Sequence, residues 1–143
     1  MVIVDTNVVA EVMRTSPAPA VVGWFNAQDS ASLFLTAITL GEIRYGLRIM
    51  PKGQRRQTIE QGFDQIIGTA FAGRILAFDE NAAVHYGEVM GRRKELGRPL
   101  SVPDGQIAAL ARLHRFAVAT RNVRDFLDCG IELVNPFMPS VPA

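Results

Sequence analysis

The first seven residues, Met1-Val2-Ile3-Val4-Asp5-Thr6-Asn7, decide the fold. Val2, Ile3 and Val4 form a continuous apolar run, which suits a parallel strand covered on both faces rather than a strand with one wet face. The run ends abruptly in an acid and two small polar residues. Asp5, Thr6 and Asn7 are good caps for a helix that Val8, Val9, Val12 and Met13 would line. Ligands of open α/β sheets gather beyond the carboxyl ends of the strands, so Asp5 is a site candidate as well as a cap.

Outward from this stretch, short apolar runs alternate with helical periodicity. After Ser16-Pro17-Ala18-Pro19, a helix is expected over about Ala20 to Gln28, with Val21, Val22, Trp24 and Phe25 packing the core or a protein partner. Leu33 to Thr36 reads as a second strand. The next helix opens at Thr39-Leu40-Gly41-Glu42, continues through Ile43, Tyr45, Leu47 and Ile49, and ends at Pro51. Ile59, Phe63, Ile66, Ile67 and Phe71 recur at helical spacing and give a long amphipathic helix from Gln54 to Phe71. Ile75 to Phe78 is a third strand. A helix follows from Asp79 or Glu80, with Ala82, Tyr86, Val89 and Leu96 on its stripe and Gly97 as its stop. Ser101-Val102-Pro103-Asp104 opens a helix that buries Ile107, Leu110 and Ala111. Phe116 to Thr120 is a fourth strand, Arg121 to Phe126 a turn or short helix, and Ile131 to Val134 a last strand. Pro136, Pro139 and Pro142 leave 136–143 irregular. The alternation implies an α/β fold with a mainly parallel sheet of about five strands and helices on both faces.

The chain has 143 residues, enough for one domain with one substantial core, and 1–143 is read as that domain. Lys and Arg exceed Asp and Glu by one (15 against 14), so no global field announces a nucleic-acid partner and an anionic ligand must be attracted locally. The single Cys129 excludes an internal disulfide and a cysteine-based zinc site, which suggests a reducing, cytoplasmic setting. No apolar run is long enough to span a membrane.

Three acids, Asp5, Glu42 and Asp104, fall just after a strand or at a helix start. Each has a structural alternative: Asp5 and Asp104 as helix caps, and Glu42 as the second half of a capping box with Thr39. A parallel sheet would nevertheless collect all three at one edge. Carboxylates gathered there repel one another and call for a cation. With oxygen donors and no nearby His or Cys, Mg²⁺ or Mn²⁺ is favoured over zinc, and phosphodiester hydrolysis is the chemistry such a site suits. Thr120-Arg121-Asn122-Val123-Arg124-Asp125-Phe126 adds polar groups at the same edge. Asn122 would hold a water or a phosphate, and Thr120 and Arg121 would touch a nucleic-acid backbone; the alternative is a capping turn with Phe126 in the core. Arg92, Arg93, Lys94, Arg98, Arg112, Arg115, Arg121 and Arg124 are further cations for RNA, although a solvated helix face explains Arg92 to Lys94. His85 and His114 read as surface or packing residues.

Asp5-Thr6-Asn7, Glu42 at a helix start, Pro103-Asp104 with Ile107-Ala108-Ala109, and Thr120-Arg121-Asn122 with Asp125-Phe126 resemble, in this order, the signature of PIN-domain ribonucleases. More narrowly the chain is similar to the toxins of VapBC-type toxin–antitoxin modules, including the FitB-like branch. The likeness extends over Gly46, Pro51, Gly53-Gln54-Arg55-Arg56 and Gly97-Arg98-Pro99-Leu100. It implies a three-layer α/β/α fold and a Mg²⁺- or Mn²⁺-dependent endoribonuclease. The implied assembly is a homodimer or larger, inhibited by a VapB- or FitA-like antitoxin that carries the operator-DNA contacts. By this match Asp5, Glu42 and Asp104 are the metal-site acids, Asn122 joins them in catalysis, and Thr6, Asn7, Thr120 and Arg121 bind substrate. Many relatives carry a fourth acid where this chain has Asn122, which bears on a second metal; Asp125 is the residue that would compensate. The competing expectation is a catalytically weak binding module acting mainly in an antitoxin complex on DNA. An aspartyl-phosphate enzyme is disfavoured because Asp5-Thr6-Asn7 lacks a second acid two residues on.

Overall fold

The computed structural model describes residues 1–138. Five strands form one all-parallel sheet: β1 (Val2–Val4), β2 (Leu33–Thr36), β3 (Ile75–Leu76), β4 (Ala117–Ala119) and β5 (Leu133–Val134), in the order β3-β2-β1-β4-β5. β1 is central, pairing Val2 with Leu33 on one side and with Ala117 on the other. Six helices connect the strands: α1 (Thr6–Val12), α2 (Pro19–Ala27), α3 (Ala37–Ile49), α4 (Gln54–Thr69), α5 (Glu80–Glu95) and α6 (Val102–His114). Among the described residues no helix is long and apolar enough to cross a membrane.

The continuous apolar run of β1 is explained by two cores. Val2 and Val4 join Val8, Leu35, Ile43, Phe63 and Phe71 beneath α1 to α4, whereas Ile3 joins Val89, Ile107, Leu110 and Val118 beneath α5 and α6. Side chains alternate along a strand, so these sets lie on opposite faces and the architecture is three-layered. Trp24 and Phe25 pack against the first core, with Phe25 edge-on to Phe71 at 6.1 Å between ring centroids. Both aromatics of α2 thus pack on the core while remaining partly exposed.

Several boundaries differ from the sequence reading. The 3₁₀ turn Ser30–Ser32 was not expected, β3 stops at Leu76, and β5 begins only at Leu133. The last expected irregular stretch starts as a turn in which Pro136 is buried; 139–143 lie outside the described residues. Both acid-bearing helices begin three residues before the expected cap. Thr36, not Thr39, caps α3: its Oγ1 accepts from the Thr39 backbone N–H at 3.1 Å. Ser101, not Asp104, caps α6, its hydroxyl accepting from the Asp104 N–H at 3.3 Å. Glu42 is thus in the second turn of α3 and Asp104 in the first of α6, and neither is a cap.

α5 and α6 meet where Gly105 is buried, and a Cβ there would run into the Met90 sulfur and the Tyr86 ring. Gly105→Ala should therefore lose about 1 kcal/mol, the overpacking of ~1–3 kcal/mol outweighing the ~1 kcal/mol that alanine gains as a helix former. Urea unfolding checks this, and in the Met90→Ala background the same change should be neutral or stabilising.

Candidate active site

The carboxyl ends of β1, β2 and β4 bring Asp5, Thr36 and Thr120 to one edge of the sheet. Asp5 is 5% exposed and caps α1, its Oδ1 accepting the Thr6 backbone N–H at 2.8 Å. The other oxygen, Oδ2, accepts the Thr120 hydroxyl at 2.8 Å and the Asn7 side-chain amide at 3.1 Å. The cap and the site candidate are the same carboxylate. Burial pushes the Asp5 pKa up, the bonds from Thr120, Thr6 and Asn7 pull it back, and the Glu42 charge raises it again.

Glu42 reaches the edge from α3. Thr6 Oγ1 donates to its Oε1 at 2.9 Å, and the Thr6 oxygen also lies 3.1 Å from Thr39 Oγ1, which is 3.4 Å from Thr36 Oγ1. A line of hydroxyls therefore runs from the end of β2 to the Glu42 carboxylate. Asp104 arrives from α6. Its pKa is raised by burial, lowered by the Ser101 hydroxyl, and raised further by the charges of Asp5 and Asp125, with Arg93 opposing. Asp5 thus feels Glu42, and Asp104 feels Asp5.

Two recesses flank this edge. One, of about 590 Å³, begins at Thr6 and Glu42 and continues over Met13, Leu47, Met50 and Ile59. The other, of about 220 Å³, is walled by Ser101, Asp104, Asp125, Leu100 and Arg93.

The expected substrate residues have unequal positions. Thr120 is fully buried and its hydroxyl is committed to Asp5 while accepting from Asn7 Nδ2 and the Asn122 N–H, so it orients the acid and offers no surface to a nucleic acid. Thr6 and Asn7 are likewise engaged, Thr6 with Glu42 and Asn7 with Asp5 and the Arg121 N–H at 3.0 Å. Arg121 and Asn122 are exposed. His85 and His114 lie away from the edge: His114 stacks on Phe116, and His85 borders a recess at the opposite end of β4.

Arg93 corrects the reading of Arg92 to Lys94 as a solvated face. Arg92 and Lys94 are exposed, but Arg93 is 4% exposed. Its guanidinium donates to the carbonyls of Arg98 and Asp125, each at 2.7 Å, and of Leu127 at 3.0 Å. It holds the segment after β4 against α5 and is unavailable to RNA. The signal was present in the sequence: Arg93 follows Ala82 and Val89 at helical spacing. Arg98 pairs with Asp128, and Arg112 with Glu88 at 3.2 Å.

The donor chemistry of the edge is that of hard oxygen ligands. Among the described residues no three acid, His or Cys side chains close into a ready-made metal shell. Carboxylate and hydroxyl oxygens are donors that suit Mg²⁺, which takes one or two carboxylates and keeps several waters, rather than zinc, which favours His and Cys. Burial is the first cause of the raised Asp5 and Asp104 pKa values and the neighbouring carboxylate charges add to it, the part that a cation would relieve.

A parallel α/β/α sheet with a carboxylate at the end of its central strand is the architecture of the PIN domain, whose family matches residues 2–130, and the chain belongs to that family. Its similarity extends over whole relatives. It is 39% identical to a VapC ribonuclease of Sinorhizobium fredii, over 98% of this chain and 100% of the relative. It is 35% identical to the toxin FitB of Neisseria gonorrhoeae, over 96% of this chain and 99% of that one. A solved structure of FitAB bound to a DNA fragment contains a chain that superposes with a TM-score of 0.92 at 34% identity, covering 99% of each.

Folding raises the Asp104 pKa above its ordinary 3.8, so this group's contribution favours the folded state below 3.8 and is lost as pH rises through the folded value. In EDTA, Asp104→Asn should therefore be more stable than the parent at pH 7, with the advantage gone below 3.8. Denaturant unfolding across pH measures the difference, and a pH-independent gap would contradict the assignment.

Proposed function

We propose that the protein is the toxin of a type II toxin–antitoxin pair, a Mg²⁺-dependent endoribonuclease, with Mn²⁺ as an alternative ion, acting in the cytoplasm. The single observation that carries this reading is the buried Asp5 carboxylate at the end of the central strand. It is held ready by three donors, with Glu42 and Asp104 close enough to shift or share its charge. The names of its relatives supply the substrate class: a VapC ribonuclease at 39% identity and a tRNA(fMet)-specific endonuclease of Shigella flexneri at 29% over 88% of this chain.

Asp5, Glu42 and Asp104 are the residues that would hold the ion. When bound, Mg²⁺ supplies Lewis-acid charge to the phosphate oxygens and eases deprotonation of the attacking water. The protein's own residues do the positioning. Thr120, Thr6 and Asn7 fix both oxygens of Asp5, so the acid cannot turn away from the edge. Thr6, through its hydroxyl, ties the exposed Glu42 carboxylate to the start of the helix that Asp5 caps. Asn122, exposed beyond the Asn122 N–H to Thr120 bond, has a neutral amide where many relatives carry an acid, and it suits a water or a phosphate oxygen better than a cation.

The same reading includes an antitoxin. The recess of about 590 Å³ starts at Glu42, is largely apolar, and is rimmed by Arg14 and Arg55, features that suit an amphipathic peptide ending over the acids. Operator DNA would be reached only through that partner. Tyr45 and Ile49, 67% and 64% exposed one turn apart on α3, support a homodimer.

Purified, antitoxin-free protein should cut a structured RNA pool with Mg²⁺ or Mn²⁺ and not in EDTA. Asp5→Asn and Asp104→Asn should abolish cutting, and Thr6→Ala, which frees Glu42, should slow it roughly 10- to 100-fold. Intact RNA from folded, metal-bound protein would replace this reading with that of a binding module.

A further inference from the structure

Arg121 forms an arrangement at the edge that the acids do not use. Its backbone is pinned, because its N–H donates to Asn7 Oδ1 at 3.0 Å and Asn7 also bonds Asp5. Its guanidinium carbon lies 4.3 Å above the centroid of the Phe137 ring. Phe137 is itself anchored: the ring packs against the core beneath α1 to α4, and its N–H donates to Asn135 Oδ1 at 3.0 Å. Arg121 is exposed, and among the described residues it has no carboxylate partner, unlike Arg14, Arg44, Arg56, Arg98 and Arg112.

A cation used only for its charge is free to follow a phosphate. This one rests over an aromatic ring, its guanidinium carbon 4.3 Å from the centroid, and is otherwise exposed. An exposed guanidinium supported in that way can stack on a second π-system. Unpaired RNA bases are recognised by such stacking, whereas a base inside an A-form helix has both faces covered by its neighbours.

We propose that Arg121, clamped on Phe137, is a stacking platform for an unpaired nucleobase beside the phosphate held at the acid edge. The inference rests on the ribonuclease reading, which gives Arg121 only a backbone contact, and it narrows the substrate to RNA that is locally single-stranded at the cut. The Arg121 backbone is joined to Asp5 through the two Asn7 hydrogen bonds, so a base stacked on its side chain fixes the register of the RNA relative to the acids. Phosphate attraction alone would let that register slide.

The test is equilibrium binding of a short unpaired RNA, in Mg²⁺, to full-length protein carrying Asp5→Asn, with a single abasic site stepped through the RNA. Arg121→Lys keeps the charge and removes the plane; because Arg121 is exposed, the fold does not depend on it. Arg121→Lys should weaken binding roughly tenfold. One abasic position should cost about as much in the Arg121 protein and nothing further in the Lys variant. Phe137→Leu should reproduce the Lys phenotype. Equal affinity of the Arg and Lys proteins, or an abasic penalty identical in both, would overturn the platform while leaving the ribonuclease reading intact. RNA that binds none of the proteins would overturn both.

Discussion

Everything at the functional edge depends on one hydrogen-bonded anion. The Asp5 carboxylate ends the central strand, caps α1 and receives the Thr120 hydroxyl from the neighbouring strand's exit. Removing a carboxylate from water costs several kcal/mol unless donors replace the lost hydration. Here three donors replace part of it, and the rest, together with the Glu42 charge, leaves the pKa raised. The two strand exits are consequently joined by a charge and not only by backbone pairing, and the Asp5 N–H adds a 2.9 Å bond to the Ala119 carbonyl.

Threonine is the residue that makes this possible. Thr6, Thr36, Thr39 and Thr120 are all at least partly buried, and each hydroxyl contacts another polar group of the edge. A short β-branched side chain presents one oxygen from a restricted set of rotamers, so the acids are oriented without long flexible partners. The polar network extends the apolar layers instead of interrupting them: Val4 precedes Asp5, Leu35 precedes Thr36, and Ala119 precedes Thr120, all buried.

The sequence was most legible where one residue served one requirement. The unbroken Val2-Ile3-Val4 run required two covered faces, and the two cores supply them. Asp5 was legible because it breaks the apolar run and two small polar residues follow it. Strand order was not, since pairing of β1 with β4 joins residues more than a hundred positions apart and leaves no local mark. The starts of α3 and α6 were misread because Thr36 and Thr39, and Ser101 and Asp104, are equally good caps in isolation. Tertiary context chose between them: Thr36 pairs with Leu76 at the sheet's end, which leaves its side chain free to cap. Arg93 was obscured by the adjacent Arg92 and Lys94. The contact of Arg121 with Phe137 depends on the return of β5 and had no sequence signature at all.

The central position of an N-terminal strand has a consequence for synthesis. In a nascent chain Asp5 emerges well before β4, so β1 is left with one open flank until Ala117 to Ala119 appear, and Asp5 lacks its Thr120 donor until then. Pairing across such a long loop is slow compared with local helix formation. The edge therefore assembles late, from strands more than a hundred residues apart, and a truncated translation product that stops before β4 contains both Asp5 and Glu42 without the geometry that would make them a site.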